Sequence, residues 1–300
     1  MMLKEKLQVP TRKVDAVLDT DAYNDIDDLF AIAYMLRSAE KINTKAIYAA
    51  PFHNSRSLDP ADGMEKSYNE LRRLLILMDN ETPTFRGATN FLENELTPKV
   101  SVAAFDLVRR AKEYSPEDPL YVIAIGALTN IASAILLEPS IAENIVIIWL
   151  GGHARHKEHT KEFNMCQDPY AANIIFKSSA SLVQLPCEGV VSEFTISKPE
   201  LLYWLVDQNP LADYLARAAV KAADSYAHGK PWTKTLWDVT AVGWLLNDGN
   251  RFMDSKIVTA MQVENGIYTP LPNGKDMAYV TKIRRDALME DMLSKLIGEK

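Results

Sequence analysis

The stretch that decides the fold is residues 14–34, with the sequence VDAVLDTDAYNDIDDLFAIAY. It begins with a short apolar run, VDAVLDT, whose composition is typical of a buried strand. Five aspartates then fall within ten residues, and after them apolar side chains recur at helical spacing, at Leu29, Ile32, Ala33 and Leu36. The pattern predicts a strand, an acidic loop and a helix. In an open α/β sheet, ligands bind beyond the carboxyl ends of the strands, which is where this loop would lie.

The acidic loop carries Asp19, Asp21, Asp25, Asp27 and Asp28. Carboxylates this crowded do not all stay ionised unless a cation lies among them; otherwise the pKa of some of them rises. A hard divalent cation with oxygen ligands is the simplest such partner. Acids are also favoured at helix starts, which accounts for one or two of Asp25, Asp27 and Asp28. Capping does not explain Asp19 and Asp21 at the strand end, so the loop predicts a metal site.

Strands and helices alternate along most of the remaining chain. Further strands are predicted at residues 42–52, 82–87, 120–125, 145–150 and 182–186. Helices are predicted at residues 61–80, 98–114, 168–177, 198–206, 210–226 and 236–247, with another ending before Pro139. Residues 257–263 and 277–283 are predicted to form a hairpin around Pro272, Asn273 and Gly274, followed by a helix from Asp286.

This alternation predicts an α/β fold with an open, mainly parallel central sheet, helices on both faces and an extra helical region towards the C-terminus. The sequence contains no internal repeat and no linker-like stretch. We therefore expect a single domain over residues 1–300.

Composition excludes several classes of function. The net charge is −7 and no basic run occurs, which argues against a nucleic-acid partner. The two cysteines, Cys166 and Cys187, indicate no disulfide framework and fit a reducing compartment. The N-terminus lacks the apolar core of a secretory signal, and no apolar run is long enough to span a bilayer. These features predict a cytoplasmic protein with no membrane partner.

Other polar groups also follow predicted strands. They are His53 with Asn54, Thr129 with Asn130, and the loop of residues 151–164. Glu162 and Asn164 lie two residues apart in that loop, so both side chains can face one ligand, whereas Asp168 before Pro169 is a helix cap. Asp238 lies in the apolar stretch LWDVTAVGWLL. It is either a first-turn acid at the solvent edge or an inward acid with a cation partner, and the aspartate loop favours the second interpretation.

Four motifs, in order, carry a family resemblance: DTDAYNDIDD, IGALTNIA, LGG with EFNMCQDPYAA, and LWDVTAV. Over roughly residues 14–246 the chain resembles the nucleoside hydrolases, the inosine–uridine-preferring nucleoside N-ribohydrolases. The resemblance implies one Ca²⁺ at the carboxyl edge of the sheet and hydrolysis of the N-glycosidic bond of a ribonucleoside or a close ribosyl conjugate. It also implies a homo-oligomer, either a dimer or a tetramer.

The resemblance further implies residue roles. Asp21 would contact both the calcium and its water and act as the general base, with Asp28 as a bidentate calcium ligand. Asp238 would be a further ligand, and Thr129 would supply its backbone carbonyl. The residues implied to contact the sugar are Asn54, Glu162 and Asn164. Asp19 and Asp27 would support the loop by contacts around the calcium ligands, without binding the calcium themselves.

The chain departs from the family pattern where the leaving group should bind. Trp237 precedes Asp238 where purine-active members carry a histidine, and an indole cannot act as an acid, so we expect Trp237 to contact the substrate instead. Two extra residues separate Asp21 from Asp27. The loop of residues 151–164 contains His153, His156 and His159. A solvated histidine loop is the favoured interpretation; a second metal site, or a leaving-group acid among these histidines or His53, is the alternative.

Three other functions stay open at this point. The chain could hydrolyse a different sugar conjugate, as Trp237 and the altered loops suggest, or bind a sugar or nucleoside without catalysis. Aspartyl-phosphate phosphatases also place Asp-x-Asp after a first strand. They need a lysine and a late acidic pair, whereas the acidic pair here follows after six residues in the same loop.

Overall fold

The computed structural model describes residues 5–298, and its twelve strands include the one predicted at residues 14–20. They are β1 (Val14–Thr20), β2 (Ile42–Ala49), β3 (Thr84–Arg86), β4 (Leu120–Ala124), β5 (Ile145–Leu150), β6 (Ser181–Leu185), β7 (Thr195–Ser197), β8 (Thr233–Thr235), β9 (Met253–Thr259), β10 (Met261–Glu264), β11 (Ile267–Pro270) and β12 (Asp276–Ile283).

Eight of these strands form one sheet in the order β3-β2-β1-β4-β5-β6-β12-β9. All neighbours are parallel except β12 and β9, which are antiparallel. From β1 the chain moves outward through β2 to β3, and then returns to place β4 on the other side of β1. The direction of winding therefore reverses between β1 and β4, and a crevice opens at the carboxyl ends of strands at such a point.

Ten α-helices with both ends among residues 5–298 lie around the sheet. They are α1 (Asp27–Leu36), α2 (Pro60–Leu77), α3 (Val102–Ala111), α4 (Thr129–Leu137), α5 (Phe163–Gln167), α6 (Pro169–Lys177), α7 (Lys198–Leu205), α8 (Pro210–Ala227), α9 (Val239–Leu245) and α10 (Arg285–Ile297). Across residues 5–298, no helix has the length and apolarity that crossing a membrane requires.

The sheet is buried on both faces because successive strand residues point to opposite sides. Leu18 of β1 belongs to a core that includes apolar residues of α1, α2 and α7–α10. Its neighbour Val17 belongs to a second core, which includes residues of α3, α4 and α6. The α/β fold with helices on both faces is thus confirmed. The helices of the C-terminal region pack on the same face of the sheet as α1.

The predicted C-terminal hairpin is only partly correct. β9 and β12 do pair antiparallel, but the predicted strand at residues 257–263 breaks at Ala260. Residues after the break form β10, which pairs with β11 as a small separate hairpin. Apolar alternation continues through both strands, so it gives no signal of the change in pairing partner. The short pair β7 and β8 was not predicted, because three residues are too few to show a period.

The buried face of β1 gives a stability prediction. Leu18 is fully buried on β1, whereas Leu96 is 85% exposed. We expect Leu18→Ala to lower the free energy of unfolding by about 2–5 kcal/mol, because it leaves a cavity in the central core. Denaturant unfolding followed by circular dichroism measures this. Leu96→Ala is the control and should change stability by less than about 0.5 kcal/mol; equal effects of the two substitutions would contradict the packing described here.

Candidate active site

A cavity of about 410 Å³ opens at the carboxyl edge of the sheet, where the winding reverses. The segments that follow β1, β2, β4, β5 and β6 contribute to its wall, together with the residues at the start of α9. Gly126 after β4 lies against Asp21 after β1, since a Cβ at Gly126 would be 3.3 Å from Asp21 Oδ1. Of the polar groups that follow predicted strands, the aspartate loop, Asn54 and the loop of residues 151–164 contribute to this cavity, whereas Thr129 and Asn130 do not line it.

Five aspartates line this cavity, one of them the half-buried Asp25. The other four are at most 5% exposed: Asp21, Asp27, Asp28 and Asp238. Carboxylate oxygens of Asp27, Asp28 and Asp238 lie within 4.8 Å of one another. The Thr20 hydroxyl donates to Asp28, and the backbone N–H of Asp238 donates to Asp27 Oδ2 at 3.4 Å. Asp21 Oδ2 and Asp27 Oδ1 are buried with no hydrogen-bond partner among the described residues.

This arrangement is unfavourable for charge unless a cation is present. Burial first, and the neighbouring carboxylates second, raise the pKa of Asp21, Asp28 and Asp238 well above the usual range. Burial and Asp25 raise the pKa of Asp27 to about 6. Unsatisfied carboxylate oxygens facing one cavity form an oxygen donor set that suits a hard divalent cation. The site therefore fits a metal ion, as the crowded loop predicts.

Asp19 lies behind this group and does not line the cavity. Its Oδ1 accepts a hydrogen bond of 2.8 Å from Asn130 Nδ2, and the same amide also contacts the carbonyl of Ala49 at 3.2 Å. Asn130 Oδ1 accepts from the N–H of Ala88 at 2.8 Å. Asn130 thus ties the ends of β1 and β2 to the loop after β3.

Of the three acids considered for the start of the helix, Asp27 and Asp28 lie in the first turn of α1, whereas Asp25 lies one residue before the cap position. The cap position of α1 is Ile26, and no side chain caps the helix. Asp25 accepts from the N–H of Ile26 at 2.7 Å, and its other oxygen forms an ion pair with Lys234. A carboxylate so close to the aspartate cluster is more favourable beside an ammonium group than alone.

The side chains predicted to bind substrate, Asn54, Glu162, Asn164 and Trp237, all line the cavity. Glu162 caps α5, and its carboxylate accepts from the N–H groups of Gly152, Asn164 and Met165 at 2.8, 2.8 and 3.0 Å. These three donors fix its orientation.

The Asn164 amide donates to two carbonyls, those of Ile125 at 3.2 Å and Leu150 at 3.1 Å. Asn54 Nδ2 donates to Asn24 Oδ1 at 2.7 Å. Asn24 was not singled out in the sequence, although it also lines the cavity. The orientation of both predicted asparagines is thus set by neighbours in the wall of the cavity.

Thr129 is separated from the aspartates, against the expectation from the sequence. It is the first residue of α4 and is not among the residues that line the cavity. Its hydroxyl donates to Asp168 Oδ2 at 2.7 Å. Ile125, four residues earlier, does line the cavity. The strand β4 ends at Ala124, so the chain passes the cavity before it turns into α4.

The three loop histidines do not form a metal site. Among the described residues, the one cluster of potential metal ligands is Asp27, Asp28 and Asp238. His156 and His159 are exposed, whereas His153 is 7% exposed and lines the cavity. Burial lowers the pKa of His153. The expectation of a wholly solvated loop is therefore wrong for His153, and nothing in its local sequence distinguishes it from the other two histidines.

Comparisons with known proteins find relatives of this chain in both sequence and fold. A family sequence model described as "Inosine-uridine preferring nucleoside hydrolase" matches residues 16–289. A non-specific ribonucleoside hydrolase, RihC, from Salmonella enteritidis PT4 is 27% identical over 262 residues, which cover 79% of each chain.

Two solved structures share the fold. A plant nucleoside hydrolase, PpNRh1, superposes with a TM-score of 0.75 at 16% identity, covering 95% of this chain and 99% of that one. A purine-preferring ribonucleoside hydrolase from Gardnerella vaginalis gives a TM-score of 0.74 at 19% identity, covering 95% and 98%.

The buried aspartates predict that a divalent cation stabilises the protein. When free Ca²⁺ is present at one hundred times its dissociation constant, the free energy of unfolding should be about 2.7 kcal/mol higher than that of the chelator-treated protein, as measured by thermal unfolding. The matched variant Asp28→Asn should lose most of this effect. Equal unfolding temperatures with and without the ion, over a series of divalent cations, would contradict a metal site.

The stabilisation should also depend on pH. Without a cation, the folded-state pKa values of Asp19 and Asp27 are raised to about 7 and about 6, above those of the unfolded chain. The cation-free fold therefore loses stability as pH rises from about 4 through about 7, because folding then requires buried charges. The cation binds the ionised carboxylates, so its stabilising effect should grow over the same range. Unfolding temperatures measured with and without Ca²⁺ at several pH values test whether the stabilisation by Ca²⁺ increases with pH.

Proposed function

Because this chain belongs to the inosine-uridine preferring nucleoside hydrolase family, we propose that it hydrolyses the N-glycosidic bond of ribonucleosides to give ribose and a free base. The match spans residues 16–289 and so includes every residue of the candidate site. The family and the enzyme class predicted from the four motifs, a hydrolase acting on N-glycosyl bonds, are confirmed.

The observation that carries the proposed mechanism is the group of four buried carboxylates in one cavity with Asn54, Glu162 and Asn164. We propose Ca²⁺ as the cation, held by Asp21, Asp28 and Asp238. In place of Thr129, the backbone carbonyl of Ile125 is the better candidate for a further ligand, because Ile125 lines the cavity and Thr129 does not. When bound, Ca²⁺ would offset the carboxylate charges and make a nearby water molecule easier to deprotonate.

Asp21 is the proposed general base. Its Oδ2 is buried, has no hydrogen-bond partner among the described residues and so is available to accept a proton. In the cation-free protein, burial and neighbouring acids raise the pKa of Asp21. A bound cation would oppose this shift and keep the carboxylate ionised, which is the form that a general base requires. The remaining carboxylates stabilise the positive charge that develops on the sugar as the glycosidic bond breaks.

The proposed sugar-binding groups are held rigidly. Glu162 accepts three backbone hydrogen bonds, and the Cys187 thiol also hydrogen-bonds to it. An ionised carboxylate has about four acceptor positions, so a sugar hydroxyl would compete with this weak thiol donor for the fourth. Both donor contacts of the Asn164 amide are to carbonyls, so its Oδ1 is left as an acceptor. Preset orientation of this kind reduces the entropy lost when the substrate binds.

A second candidate function is hydrolysis of a ribosyl conjugate whose leaving group is not a nucleobase. The composition of the cavity wall away from the aspartates favours it: His153, Lys161, Glu188 and Trp237 are found there. Trp237 cannot protonate a leaving base. His153 is the one histidine of the described residues in this wall, but burial lowers its pKa, so a smaller fraction of it carries a proton for the leaving group near neutral pH.

Substitution of Asp21, the proposed general base, tests the mechanism. We expect Asp21→Asn to lower kcat by about 10²–10⁴-fold, because the amide cannot accept the proton, while the fold is retained. Steady-state kinetics on a hydrolysed nucleoside and circular dichroism measure the two effects. The control is Asp15→Asn at the other end of β1, the strand that Asp21 follows; its carboxylate accepts from Asn43 and Tyr114. Full activity of Asp21→Asn would refute the assigned role.

A substrate panel tests the reaction itself. We expect release of free base from purine or pyrimidine ribonucleosides, and much slower reaction of the 2′-deoxy analogues, because the cavity offers carboxylates to sugar hydroxyls. Chromatography of the products measures both. Cleavage of a ribosyl conjugate alone would support the second candidate function, tight nucleoside binding without product would indicate a non-catalytic relative, and phosphate release from phosphomonoesters would contradict both hydrolase assignments.

A further inference from the structure

Lys234 and Asp25 form an ion pair at the rim of the aspartate cluster. Lys234 lies on β8, and its Nζ bonds Asp25 Oδ2 and lies 3.9 Å from Asp27 Oδ1. Its side chain is only 10% exposed. A lysine is rarely buried to this extent unless its charge is paired. Lys234 meets this condition, because it lies between two acids of the loop that precedes α1.

The ammonium group acts on the cluster through Asp27. Asp27 shares the possible metal site with Asp28 and Asp238, and within residues 5–298 its one ion pair is with Lys234. Burial by itself lowers the pKa of Lys234, but Asp27 and Asp25 outweigh this effect and raise the pKa above its usual value. The group is therefore a permanent positive charge next to the cavity.

We propose that Lys234 is a built-in counter-cation that stabilises the cation-free fold and lowers the affinity of the aspartate site for its divalent cation. This inference rests on the cation site of the proposed function. Lys234 acts through Asp27 and Asp25, so it is a positioning residue and not a catalytic one. A fixed positive charge 3.9 Å from a carboxylate oxygen of the site would repel a divalent ion bound there, because the effective dielectric constant near a protein surface is far below that of water. Asp25 opposes the effect, since its negative charge attracts the ion.

The test is calorimetric titration of the chelator-treated full chain with Ca²⁺ alone. We expect Lys234→Met to bind Ca²⁺ about tenfold or more tightly than the wild type, and Asp25→Asn to bind it more weakly. The double variant should lie between the two single variants. Lys234→Arg keeps the charge and should stay within about threefold of the wild type.

The opposite effects of Lys234→Met and Asp25→Asn on the Ca²⁺ affinity distinguish this role from a merely structural one. If the pair only held the loop in place, losing either partner would weaken binding in the same direction. Lys41→Met is the matched control, because the Lys41 side chain is 11% exposed, close to the 10% of Lys234. Its Nζ lies 2.8 Å from Asp248 Oδ1, and neither residue lines the cavity. This variant should leave the Ca²⁺ affinity unchanged while lowering the unfolding temperature.

Two different results would overturn the inference. Unchanged or weaker Ca²⁺ binding by Lys234→Met, with normal binding by the wild type, removes the counter-cation role and leaves the proposed function intact. Absence of Ca²⁺ binding by the wild type removes the calcium site itself, and the counter-cation role with it. The substrate panel is a separate measurement, so failure of the hydrolase assignment is recognised independently.

Discussion

Repulsion among the carboxylates buried at the carboxyl ends of β1 and β4 is the constraint on which the rest of the site depends. The sheet around them is apolar on both faces, so water cannot offset their charge. The protein offsets part of it by contacts to the loop: Thr20 donates to Asp28, Asn130 donates to Asp19, and Lys234 pairs with Asp25. Asp21 and Asp27, which each keep an oxygen without a hydrogen-bond partner among the described residues, line the cavity, where a cation and a sugar would offset the remaining charge.

The parallel sheet makes this concentration of acids possible. Several strands end at one edge, so polar segments distant in sequence meet there without placing polar backbone in the core. Glu162 shows how rigid the resulting site is, because three backbone N–H groups hold its carboxylate. A site of this kind is organised before the substrate arrives, which is the condition for effective positioning.

Much of the fold was readable from the sequence because apolar periodicity reports burial. The strands at residues 14–20 and 145–150 have the predicted bounds, and most helices differ by a few residues at their ends. Periodicity does not report which strand pairs with which. The chain between Met253 and Ile283 therefore contains a small hairpin, β10 and β11, that the alternating pattern could not reveal.

The sequence by itself determined the strand, acidic loop and helix at residues 14–36, the acids that form the cluster, and the family, because these depend on local spacing and residue type. Only the tertiary structure decided which groups meet. It brought Ile125 and not Thr129 to the cavity, placed His153 in its wall, and joined Lys234 to Asp25 across 209 residues. Such contacts follow from strand order and from the path of the loops at the sheet edge, and neither is encoded in the spacing of neighbouring residues.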